Sequence, residues 1–110
     1  MKTMNLPNEV LDLVNAQANH DSAAFADCFS ETAVVFDESK THKGRIEIQQ
    51  WIDQANKKFN TVMKPLEYTH CETTGILLAE ISGTFEGSPI ILNYNFVFRD
   101  GKIQSLKIGG

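Results

Sequence analysis

The chain has 110 residues, enough for one hydrophobic core and too few for two, which predicts a single domain over 1–110. Hydrophobic residues make up 42% and charged residues 22% of it, the balance of an ordinary soluble globular protein, which excludes the disordered, fibrous and membrane-embedded classes. With a net charge of −4 and its Lys and Arg scattered, the chain lacks the basic patch that phosphate binding demands, which excludes nucleic acid as a partner.

No apolar stretch approaches the roughly 18 to 20 residues of a membrane span, and MKTMNLPNEV carries no apolar signal-peptide core. No membrane partner is expected, and a cytoplasmic location is. Cys28 and Cys71 stand alone, outside any CxxC or Cys/His ligand spacing, so free thiols are expected and no metal is implied.

In chain order, Leu6-Pro7-Asn8-Glu9 opens a helix, since Pro suits a first helical position and an acid favours the first turn. Val10, Leu13, Val14 and Gln17 fall on adjoining faces, and the helix is expected to run to about Asn19. Asp21 can accept the free amides of a second, shorter helix through Ala23, Ala24, Phe25 and Cys28. Thr32 to Asp37 is β-branched and aromatic, hence a strand, and Thr41-His42-Lys43 forms a short second one after the polar link Glu38-Ser39-Lys40. Ile48, Trp51, Ile52, Ala55 and Phe59 then recur at helical spacing, with Glu47, Gln50, Asp53, Asn56 and Lys57 on the other face.

Beyond that helix the pattern alternates with period two. Met63 to Thr73 reads as one long strand, with Leu66, Tyr68 and His70 on one face. Leu77, Ala79, Ile81 and Phe85 line one face of the next. Glu86-Gly87-Ser88-Pro89 supplies a turn, Ile90 to Arg99 follows, and Asp100-Gly101 makes a two-residue hairpin before Lys102 to Ile108. The order α, α, β, β, α and then four antiparallel strands predicts an α+β layer, three helices in the concave side of a curved, mainly antiparallel sheet of about six strands. A sheet curled around only three helices leaves a hollow, and small ligands bind in hollows of this kind.

This order, together with Ala18-Asn19-His20-Asp21, Ala24-Phe25, the run Cys28 to Asp37, Lys43-Gly44 and the run Phe96 to Ile103, resembles the nuclear transport factor 2-like superfamily. Within it the chain looks most like the ketosteroid isomerase and SnoaL-like polyketide cyclase branch, over about Val10 to Ile108. The resemblance implies a conical, cystatin-like α+β fold, a pocket between helices and sheet, and a homodimer through the outer face of the sheet. The strand from Ile90 agrees on faces: Ile90, Leu92, Tyr94, Phe96 and Phe98 share one side, and Ile91, Asn93, Asn95 and Val97 share the other.

In the isomerases an aspartate at the end of the first strand shuttles a proton between carbons beside a carbonyl, and Asp37 falls on that position. The family's first-helix tyrosine corresponds to Leu13, which donates no hydrogen bond, and its second acid corresponds to Tyr94, a phenol. The resemblance therefore implies Asp37 as base and Tyr94 as donor to a developing oxyanion. Leu13, Gln17, Trp51, His70, Phe85 and Phe96 are the expected ligand-binding residues, the ligand is a small hydrophobic molecule, and no metal or organic cofactor is needed. Each assignment has a plainer counterpart. Asp37 suits a turn with Glu38-Ser39; Trp51, Phe85 and Phe96 suit a core; a lone strand His such as His70 suits a surface. The alternative function is a non-catalytic dimeric module that binds a metabolite or a protein.

Overall fold

In the computed structural model, which describes residues 5–37 and 39–109, the first apolar stripe becomes α1 (Asn8–Ala18), with Val10, Leu13, Ala16 and Gln17 buried. Asp21 caps α2 (Ser22–Asp27), its carboxylate accepting the Ala24 N–H at 3.1 Å. Ile48, Ile52 and Asn56 are the buried stripe of α3 (Gly44–Phe59). That helix stops at Asn60, whose left-handed φ of 49° Asn tolerates well, and the Asn60 N–H closes the last turn on the Asn56 carbonyl at 2.8 Å.

Six strands follow the expected order: β1 (Phe29–Asp37), β2 (Lys40–Lys43), β3 (Val62–Cys71), β4 (Thr74–Ser82), β5 (Ile90–Arg99) and β6 (Lys102–Gly109). They form one sheet in the order β2-β1-β6-β5-β4-β3. β1 runs parallel to β6, and the other neighbouring pairs are antiparallel. The register stacks Val35, Leu106, Phe96 and Gly75 across four strands. Val35, Leu106 and Phe96 are buried with Phe25, Ile48 and Val10 of the helices, so this row faces the helices and the core lies between the two layers. One row over, Phe36, Lys107, Asn95 and Ile76 stack on the opposite face, where Phe36 and Ile76 are exposed.

Four details depart from the expected boundaries. β1 starts at Phe29, ahead of Thr32, because its pairing with β6 begins at Phe29↔Ile103 and shifts register before Val34↔Ser105. β3 ends at Cys71, and a turn at Glu72 and Thr73 starts β4 at Thr74. A register shift between Pro65 and Glu67 places Leu66 outside the regular alternation, and Leu66 is exposed. β4 ends at Ser82, so Phe85 sits in the loop that follows. That loop is tied to the end of α3: the Thr84 N–H donates to the Phe59 carbonyl at 2.7 Å, and a Cβ on Gly83 would overlap the same carbonyl oxygen. Glu38, part of the expected polar link, and the stretch Met1 to Met4 of the N-terminal reading lie outside the described residues.

Candidate ligand cavity and its acid–phenol pair

Asp37 is the last residue of β1 and shares a face with Ala33 and Val35, both fully buried toward the helices. Continuing the β1–β6 register by one residue beyond Phe36↔Lys107 sets Asp37 level with Ile108, and Ile108 pairs with Tyr94 on β5. Asp37 and Tyr94 therefore stand in one row, two strands and about 10 Å of backbone apart, aimed to the same side.

Between them and the helices is a cavity of about 510 Å³, within the range that accepts a small organic molecule. Asp37, Tyr94, Ile108 and Leu92 contribute from the sheet, Gln17 from α1, Phe25 from α2, and Trp51, Ile52, Lys58 and Phe59 from α3. Phe85 and Glu86 close one side from the loop tied to α3. Lys40 and His42 of β2 complete another wall. His42 stacks on Trp51 with ring centroids 5.3 Å apart, and Phe25 meets the same indole edge-on at 6.0 Å, so the Trp51 ring is held from two sides. Phe59 and Phe85 pack edge to face at 5.8 Å.

Tyr94 is only 7% exposed. Burial first, and then the Asp37 carboxylate, raise its phenol pKa above the ordinary value. The phenol thus keeps its proton and stays a hydrogen-bond donor beside an acid. Chemically the set comprises two carboxylates, Asp37 and Glu86, the Tyr94 phenol, the polar side chains of Gln17, Gln54, Thr61 and His42, two lysines and apolar walls. Among the described residues no three His, Cys, Asp or Glu side chains converge on a metal position.

Of the residues singled out in the sequence, the cavity gathers Asp37, Tyr94, Gln17, Trp51 and Phe85. It does not gather Leu13, Phe96 or His70. Leu13 is fully buried in the core, one helical turn before Gln17, and Phe96 is buried in the Val35–Leu106 row. His70 is exposed near the far end of β3, where its Nδ1 lies 3.0 Å from the Tyr68 hydroxyl and its ring stacks on Phe98. The cavity touches β3 at Met63, seven residues and about 20 Å away.

Sequence reasoning missed Asn56 and Thr61. Gln17 Nε2 donates to Asn56 Oδ1 at 2.8 Å and to Thr61 Oγ1 at 2.9 Å, while Thr61 Oγ1 donates to Asn56 Oδ1 at 2.5 Å. Asn56, on the polar side of the helical pattern, is buried; its partners are 39 and 5 residues away along the chain, and no local pattern announces them. A second, shallower cleft of about 380 Å³ lies between α1, α2 and the β5–β6 turn, lined by Glu9, Asp12, Asp21, Asp27 and Lys102.

No protein-family model matches the chain, and no curated protein matches it. Solved structures do. A candidate polyketide cyclase from Sinorhizobium meliloti is 36% identical over 99% of this chain and 100% of its own, with a TM-score of 0.94. The chain belongs to the SnoaL-like polyketide cyclase family of the nuclear transport factor 2-like superfamily. Two more distant structures share the fold alone. A hypothetical protein with a ketosteroid isomerase-like fold from Catenulispora acidiphila, solved in complex with trimethylamine, is 17% identical over 96% of this chain and 87% of its own, with a TM-score of 0.86. A nuclear transport factor 2-like protein of unknown function from Cytophaga hutchinsonii is 16% identical over 99% and 93%, with a TM-score of 0.80. The SnoaL-like fold expected from the sequence is thus the fold of this chain, with a mixed six-stranded sheet that does not close.

Proposed function

We infer that this SnoaL-like protein binds a small, largely apolar carbonyl compound in the cavity and moves a proton at the carbon beside the carbonyl, in an isomerisation or cyclisation. The observation that carries this reading is the shared row of Asp37 and Tyr94 on one cavity wall. The Asp37 carboxylate takes a proton from the α-carbon, the C–H electron pair becomes the enolate π bond, and the negative charge moves to the carbonyl oxygen. The Tyr94 O–H donates to that oxygen. The protonated Asp37 then returns the proton to the same or a conjugated carbon; in a cyclisation the enolate carbon instead attacks a second carbonyl, whose π pair moves to its oxygen, and that alkoxide takes the proton back from Asp37. A carboxylate in a cavity with apolar walls is partly desolvated, which suits it to abstract a proton. With Leu13 where the resembling isomerases place a tyrosine, Tyr94 works as one donor, and each missing donor costs about 3 to 4 kcal/mol of transition-state stabilisation.

Crystals grown with α-tetralone, a bicyclic aromatic ketone, test the pose. The ketone oxygen is expected within hydrogen-bond distance of Tyr94 Oη and the adjacent CH₂ against the Asp37 carboxylate. A ketone bound outside the cavity, or one turned with its oxygen away from Tyr94, contradicts the reading.

A second copy of the chain is the proposed partner on the outer sheet face. Ile91 is 58% exposed there, and Ile76, Val97 and Phe36 are exposed on the same face. Large apolar side chains gathered on one exposed sheet face are what a homodimer contact covers.

A further inference from the structure

The chain carries a net charge of −4, yet its two concave sites do not share that excess equally. Glu9, Asp12, Asp21 and Asp27 gather on the shallower cleft beside Lys102. The ligand cavity instead sets two lysines, Lys40 and Lys58, against the carboxylates of Asp37 and Glu86. Both lysines are exposed, so a ligand reaches their ammonium groups from the mouth of the cavity.

The chain path brings them to one end. Gly44, at φ +81°, turns α3 back along β2, and the two elements meet where His42 stacks on Trp51 at 5.3 Å. Lys40 lies two residues past His42 on the same face of β2, about 7 Å farther from that turn. It stands directly across from Asp37, on a four-carbon stem that can carry its charge outward from the strand. Lys58 continues the Trp51 and Ala55 stripe of α3, about two turns and 10 Å beyond Trp51. One lysine is thus on the sheet wall and the other on the helix wall, both past the aromatic contact. Lys58 Nζ lies over the Phe59 ring, 5.1 Å from its centroid, and Phe59 meets Phe85 edge to face, so this ammonium stands at an aromatic rim of the cavity. Neighbouring Lys57 is taken by Asp53 at 2.9 Å, whereas Lys58 has no carboxylate within ion-pair distance among the described residues, Glu86 included.

We propose that the ligand is an anion, a ketone whose apolar body ends in a carboxylate, and that Lys58, with Lys40 from the facing wall, binds that carboxylate at the mouth while the ketone meets Asp37 and Tyr94. This rests on the reading of the cavity as a ligand site and adds the substrate class. Solvent-screened ion pairs are individually weak, so the lysines supply direction more than affinity. They hold the charged end in water, where a carboxylate costs little, and send the carbonyl end inward along the apolar walls.

The test uses α-tetralones bearing a carboxylate at each aromatic position in turn, each compared with its primary carboxamide, which has nearly the same shape and no charge. Calorimetry at pH 7 in about 50 mM salt is expected to show at least one carboxylate binding about fivefold tighter than its carboxamide, a preference that shrinks below about twofold in about 0.5 M salt. Lys58→Gln should reduce the preference to about twofold, adding Lys40→Gln should abolish it, and Lys58→Arg should keep it. Carboxamide affinity should stay at the wild-type value in all three, which shows the variants folded and the cavity intact. Crystals with the preferred carboxylate should place its oxygens within ion-pair distance of Lys58 Nζ. If carboxylates bind no tighter than carboxamides, or if their preference ignores salt or survives in the double variant, the anionic ligand is overturned while the cavity remains a ligand site. If neither these compounds nor α-tetralone itself binds, the reading of the cavity fails and the proposal with it.

Discussion

The carboxylate of Asp37 adds to burial in holding the proton on Tyr94, although the two residues belong to strands separated by β6. Removing the charge in Asp37→Asn should therefore lower the Tyr94 pKa while leaving it above that of a free phenol, because burial, the larger cause, stays. Tyr68, the other tyrosine, is also raised, by its own burial and by Glu9. Ring-carbon NMR titration of labelled tyrosines separates the two. A Tyr94 resonance that titrates identically in wild type and Asp37→Asn would show that the acid does not act on the phenol.

Alkaline pH should destabilise the fold in two overlapping steps. Burial, and next the Asp12 carboxylate, push the Cys28 thiol up to about 11 from 9.0. A folded pKa raised above the unfolded one contributes stability that is intact below the unfolded value and is lost as pH rises through the folded value. For Cys28 the loss runs from about pH 9 to pH 11. For Tyr94 it begins near pH 10, the ordinary phenol value, and continues above it. Urea unfolding should be flat from pH 7 to 8.5 and then fall, and Cys28→Ser should remove on the order of 2 kcal/mol of that fall. The same placement makes Cys28 slow toward thiol reagents near neutral pH and the exposed Cys71 fast.

Trp51 is the single tryptophan of the chain and lines the cavity. Its emission should change when α-tetralone binds, and saturate with the affinity that calorimetry gives. His42→Ala removes one of the two rings that hold the indole and should weaken ketone binding about three- to tenfold without unfolding the protein. Emission that ignores the ketone while calorimetry records binding would place the ligand elsewhere.

Ile91→Glu adds a charge beside Glu80 on the exposed outer face without touching the cavity. Sedimentation should show the wild-type chain as a dimer and the variant as a monomer with an unchanged far-UV spectrum. A wild-type monomer at tens of micromolar would remove the proposed homodimer.

The architecture was readable because it rests on local signals. Helical spacing marks α3 through Ile48, Ile52 and Phe59, Asp100-Gly101 marks the β5–β6 hairpin, and Asp21 caps α2 where expected. Asp37, singled out by the resemblance, and Tyr94, on the inward side of β5, both line the cavity, because each needed only its own strand's inward face. Position along the strands is a different matter. Phe96 and His70 were assigned from periodicity and resemblance, yet Phe96 lies in the filled core and His70 lies beyond it. Period-two patterns specify a face and say nothing of where along a strand helices fail to fill it. The Gln17–Asn56–Thr61 frame escaped for a related reason, since its members meet only through the packing of α1 against α3 and β3.

The central claim is that Asp37 moves a proton beside a bound carbonyl, and deuterium uptake into α-tetralone, followed by NMR in heavy water, measures that step alone. The wild-type protein should accelerate exchange at the CH₂ next to the ketone over buffer, Tyr94→Phe should retain about one hundredth of the acceleration, and Asp37→Asn should retain none while still binding the ketone. Exchange that proceeds in Asp37→Asn at the wild-type rate would contradict the account.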